Sequence, residues 1–215
     1  MKRLMLASRC MQAGIVGVAV AGIATDHLTW VPAAVVSLLV TFIPAILKRN
    51  LDFVLPVELN FWVVLALFLH VVGGFSNFYN DVPGWDHLTH VMTASLIGGL
   101  GFVLVVITDK YVESIYLPRP FLAFFIVMFV MAVGVMWEIM EFANDSLVHT
   151  QLQYGLSDTM FDLFFDGVAG FAVAAAGTQY LKRLTPDHFL ESMHVEEARQ
   201  KVKGFIDQHR GQKRT

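Results

Sequence analysis

One cysteine, Cys10, in 215 residues leaves no internal disulfide to form, so nothing in the fold depends on an oxidising compartment. Charge is scarce as well: 15% of residues are Asp, Glu, Lys or Arg, against about a quarter in an ordinary soluble domain. A net charge of −3 gives no basic surface for nucleic acid. The chain has no internal repeat, no low-complexity block and no Gly-x-Ser-x-Gly elbow for a nucleophilic serine. The most informative absence is local: Lys and Arg are missing from segments 25–28, 76–86 and 144–160.

What fills the chain is apolar. Hydrophobic residues make up 56% and aromatic ones 13%, and the mean hydropathy is +0.60. Crossing a bilayer core takes roughly 20 mostly apolar residues in a helix. Six stretches qualify, near 10–25, 29–47, 57–75, 87–108, 120–143 and 161–181. The expected fold class is all-α, a polytopic membrane helical bundle of about six transmembrane helices over residues 1–184 in a cell membrane. The first stretch has a second reading: Ala19, Ala21 and Ala24 after a basic start also suit a cleaved signal peptide. Trp30, Trp85, Tyr79 and Trp137 read as interfacial anchors.

If the six helices alternate, all 15 Lys and Arg fall on one side. Lys2, Arg3 and Arg9 belong to the first end, Lys48 and Arg49 follow span two, Lys110 and Arg119 lie between spans four and five, and the rest run from Lys182 to Arg214. The positive-inside rule then puts both termini in the cytoplasm. From Thr185 the chain turns polar. Thr185 suits a helix cap, Pro186 its first position, and Phe189, Leu190, Met193, Val202, Phe205 and Ile206 share one helical face. Residues 185–215 are therefore expected to form a cytoplasmic amphipathic tail helix, lying on the membrane or pairing subunits in a homo-oligomer.

That topology collects polar groups at the outer, extracytoplasmic ends of the helices. "WDHLTHVM" opens span four with Asp86, His87 and His90; "WEIMEFAND" closes span five with Glu138 and Glu141; "SDTMFDLFFDG" opens span six with Asp158, Asp162 and Asp166; His70 lies near the outer end of span three. Spacings of three and four put each set on one helix face. A rise of about 1.5 Å per residue carries Asp166 roughly 12 Å deeper than Asp158. An acid deep in a span is disfavoured by roughly 2.5–3.5 kcal/mol, so four of them unpaired would approach about 10 kcal/mol. With no Lys or Arg at that end, compensation falls to protonation, water, partner hydrogen bonds or a bound cation.

Oxygen-rich ligands with histidine and no nearby thiol suit a divalent metal ion, Zn, Mn, Mg or Fe. The expected ligands are His90, Glu138, Glu141 and Asp162. Asp158 and Asp166 are expected as catalytic groups, and His70, Asp86 and His87 as orienting partners or additional ligands. The chemistry expected is a metal-dependent hydrolase or transferase on a lipid-linked or amphiphilic substrate. Two readings compete: a cation or proton transporter that uses the same acids as a pathway, and a structural or assembly factor whose acids only pair helices. Asp86 also reads as a helix N-cap, and Asp145 and His149 as plain loop residues.

Three of these motifs resemble the YjdF-like inner-membrane proteins, a family of unknown function, and more remotely the VanZ-like proteins. They are "DHLTH" at Asp86–His90, "EIMEF" at Glu138–Phe142 and "DTMFDLFFD" at Asp158–Asp166. The resemblance covers about residues 57–181 and implies a helical integral membrane protein. Its VanZ-like side, linked to glycopeptide resistance, implies envelope work at the outer face.

Overall fold

A computed structural model describes residues 2–112, 118–183 and 185–212. Lys213 and Arg214, counted above with the basic tail, lie outside the described residues. Among the described residues every regular element is a helix: α1 (Lys2–Ala24), α2 (Trp30–Thr41), α3 (Ile43–Leu51), α4 (Val57–Phe75), α5 (Phe78–Asp81), α6 (Trp85–Tyr111), α7 (Arg119–Val148), α8 (Leu156–Arg183), α9 (Pro186–Ser192) and α10 (Val195–Gln212). Six segments are long and apolar enough to cross a membrane, with α2 and α3 counted as one. Their outward surfaces carry large apolar side chains such as Leu39, Met136, Phe164 and Phe171, each more than 60% exposed. Such a surface suits lipid rather than water.

The chain divides into two compact units, residues 1–72 with 184–215, and residues 73–183. In the first, α1 and α2 pack as a hairpin around Ile15, Val18 and Ala34. Gln12 Nε2 donates to Thr41 Oγ1 at 3.0 Å. The second span breaks at Phe42 because Pro44 fits only the first turn of a new helix. The tail carries two helices rather than one continuous helix, divided at His194 in the left-handed region at φ 55°. Phe189, Leu190, Met193, Val195 and Ala198 are buried. Val54 N–H donates to the Met193 carbonyl at 3.0 Å, and Lys201 pairs with Asp52. The apolar stripe from Thr185 is thus partly spent on a packing contact inside this unit, while Val202, Phe205 and Ile206 remain exposed.

In the second unit α6, α7 and α8 pack against one another, and α8 touches both neighbours along its length. Gly98 on α6 makes the close approach possible: a Cβ there would press on Val173 of α8 and Val130 of α7. Ala94, Val130 and Ala169 form the core beside it. The helices run longer than their apolar windows. α6 begins at Trp85 and α8 at Leu156, so the acids and histidines ride on helix rather than loop.

Candidate functional site

Asp86 and His90 lie one turn apart on α6, and Asp162 and Asp166 one turn apart on α8. Because α6 packs on α8, the two pairs interleave. His90 stands between the aspartates: its Nε2 is 3.9 Å from Asp86 Oδ1 and 3.9 Å from Asp162 Oδ2. Its Nδ1 is 3.4 Å from Asp166 Oδ1. The second oxygen of Asp162, Oδ1, meets His87 Nδ1 at 2.9 Å. Phe165 stacks on the His87 ring with centroids 4.8 Å apart. Donor atoms of Asp86, His90 and Asp162 lie within 4.8 Å of one another.

Burial is severe for such chemistry. His90 is 9% exposed, Asp162 2% and Asp166 4%. No described Lys or Arg pairs with any of them. Asp166 fits its depth because α7 carries Gly134 opposite it; a Cβ at that position would collide with Asp166 Oδ2. The lone glycine four residues before Glu138 is the sequence signal for that notch, and sequence reasoning passed over it.

The expected ligands separate into two groups. His90 and Asp162 come together with Asp86, which the sequence reading placed as an orienting partner or additional ligand. The two glutamates are engaged elsewhere. Glu141 Oε1 accepts from Trp137 Nε1 at 2.8 Å along α7. Glu138 accepts from Gln153 Nε2, at 3.2 Å on Oε2 and 3.1 Å on its backbone carbonyl. Asp158 Oδ2 accepts from the Tyr154 backbone N–H at 3.2 Å, at the opening of α8. His70 lies in the first unit, its ring edge-on to Trp30 at 5.8 Å.

The segment between α7 and α8 is built by Asp145, read from sequence as a plain loop residue. Its carboxylate accepts from Thr150 Oγ1 at 2.6 Å, Leu152 N at 2.8 Å and Gln153 N at 2.9 Å. With His149 left-handed at φ 59°, these bonds turn the chain back along α7 and deliver Gln153 to Glu138. Trp85 is also more than an anchor. Its indole lies over Gly73, stacks edge-on with Phe78 at 4.9 Å, and its Nε1 is sealed from solvent. At the rim, Tyr79 donates to Thr89 at 3.3 Å and Thr89 to the Asp86 carbonyl at 2.8 Å. Burial pushes the Tyr79 phenol well above its ordinary range. Tyr154 donates to Asn80 Oδ1 at 3.2 Å, and burial, then the charges of Asp86, Asp158 and Glu141, raise its pKa as well.

Among known proteins, the chain is similar to an uncharacterised protein of Thermotoga maritima, 29% identical over 136 residues that make up 62% of this chain and 68% of that one. No solved structure matches it. Residues 6–183 match the family described as "Predicted membrane protein (DUF2238)", so the chain belongs to that family of predicted membrane proteins of unknown function.

Proposed function

We propose that the cluster at the openings of α6 and α8 is a divalent-metal centre, and that the protein is a membrane hydrolase or transferase acting on a lipid-linked or amphiphilic substrate. The observation that carries this is the double-ended arrangement of the donors. Asp162 offers Oδ2 while His87 holds Oδ1, and His90 offers Nε2 while Asp166 faces Nδ1. Metal-ligating histidines characteristically have their other nitrogen fixed in this way. Bond lengths near 2.1 Å put tetrahedral ligands about 3.4 Å apart, so the two 3.9 Å separations would contract by about half an ångström, and the donor atoms as a set, within 4.8 Å of one another, by up to about 1.4 Å.

In this reading Asp86, His90 and Asp162 hold the ion, and His87 and Asp166 orient two of its ligands. An ion held by three side chains supplies an activated water and a polarised substrate oxygen. Asp158, one turn before Asp162 on α8, would take the proton. The missing Lys and Arg in segments 76–86 and 144–160 support an extracytoplasmic site. The YjdF-like resemblance, with its remoter VanZ-like side, belongs to the same proposal. A transport path is less well supported, because the buried α8 residues beyond Asp166 are Ala169, Gly170 and Ala174, none of which passes a proton.

The direct test is equilibrium binding of Zn, Mn, Mg and Fe(II) to protein in nanodiscs after chelator washing. One ion per chain is expected, and failure of all four to bind overturns the proposal. Tyr154 supplies an independent readout. A cation at Asp86 cancels negative potential that disfavours the phenolate, so the Tyr154 pKa should fall when metal is added. Ultraviolet titration of wild type minus Tyr154→Phe measures it; an unchanged pKa in the presence of bound metal places the ion elsewhere.

A further inference from the structure

Beside the cluster, α7 and the opening of α8 enclose an open groove of about 440 Å³ whose lining includes Val135, Ile139, Phe142, Leu156, Leu163 and Glu138. That volume falls within the range of small-molecule sites, about 300–1,000 Å³. Its apolar walls face outward: Ile139 is 55% exposed, Phe142 63% and Leu156 76%. In a membrane-spanning unit, an occupant reaches such a groove sideways from the bilayer.

Glu138 makes the groove something other than a plain lipid contact. It is 5% exposed, Gln153 donates to its Oε2 and Thr159 also approaches the carboxyl, yet Oε1 is buried with no hydrogen-bond partner among the described residues. A buried carboxylate oxygen left bare is unfavourable by about 1–3 kcal/mol or more. Its remaining need is for a donor, since an ionised carboxylate only accepts. Segments 76–86 and 144–160 hold no Lys or Arg to supply it, and among the described residues no histidine hydrogen-bonds to Oε1. Asp158 and Glu141 add negative charge at the same end of the helices. An anionic head is therefore repelled, and a quaternary ammonium has no N–H to give. A primary ammonium has three donors and the complementary charge.

We infer that this groove binds a bilayer lipid whose head ends in a primary ammonium, with a chain along Val135, Ile139 and Leu163 and the ammonium donating to Glu138 after the carboxyl turns about its last bond. The inference stands on the groove and on the orphaned oxygen, and holds whether or not a metal occupies the neighbouring aspartates.

The test is native mass spectrometry of the full chain released from mixed micelles containing equal phosphatidylethanolamine, phosphatidylcholine and phosphatidylglycerol with matched chains. One phosphatidylethanolamine per chain should be retained over phosphatidylcholine by roughly tenfold, the scale of one charge-assisted hydrogen bond. The preference should vanish in Glu138→Gln. Leu156→Trp, at a groove-lining position that is 76% exposed, should abolish retention of all three while leaving thermal unfolding unchanged. Equal retention of the three lipids, preference for phosphatidylglycerol, a preference that survives in Glu138→Gln, or a dimer with no lipid bound would each overturn it.

Discussion

Asp162→Asn should bind metal at least about 100-fold more weakly than wild type, while the metal-free protein becomes no less stable. The two effects have one cause. Asp162 is 2% exposed and shares His90 with Asp86 and Asp166, so the empty site concentrates like charges in a low dielectric. Removing one charge relieves repulsion, and the amide still bonds to His87. A purely structural aspartate predicts the opposite, because breaking a needed buried pair typically costs about 3–5 kcal/mol. Thermal unfolding with and without metal, for wild type and variant, measures both quantities. A variant that melts much earlier in chelator would assign Asp162 to helix pairing, the structural reading of the acids.

Gly134→Ala should disable the site without touching a ligand. Alanine in a helix interior ordinarily stabilises by about 0.5–1 kcal/mol over glycine. Here the added methyl meets Asp166 Oδ2, and Asp166, 4% exposed, has nowhere to retreat. Overpacking of this kind typically destabilises by about 1–3 kcal/mol. Displacing the carboxylate also frees His90 Nδ1, so metal affinity should fall roughly 10- to 100-fold, the usual effect of losing a ligand's orienting partner. The double variant Gly134→Ala with Asp166→Ala discriminates. Stability should recover, because the clash has lost its partner, while metal affinity stays low. Recovery of both would mean that Asp166 does not orient His90.

Much of this protein was open to reading from its residues. Spans come from apolar length, and six windows of such residues leave a chain few structures other than helices in a bilayer, where every backbone group must be bonded within its own segment. The helix faces were equally legible, because a spacing of three or four is a local property: Asp86 with His90, and Asp162 with Asp166, follow from the pitch alone.

Partner choice between helices was not legible. Nothing in "EIMEF" says that Glu141 turns to Trp137 along its own helix, or that Glu138 turns to Gln153, fifteen residues on. These choices depend on how α7 is rotated and on a loop that Asp145 folds back through three hydrogen bonds. Asp86 joined His90 and Asp162 only because α6 lies against α8. Gly134 acquired a role only once Asp166 was found opposite it. The sequence by itself determined which groups stand near the ends of the apolar windows and on which helix face, since both depend on hydropathy and pitch. The tertiary structure decided which of them meet, because rotation and register are set by close packing of small residues such as Gly98 and Gly134, whose effect exists only when a neighbouring helix is in place.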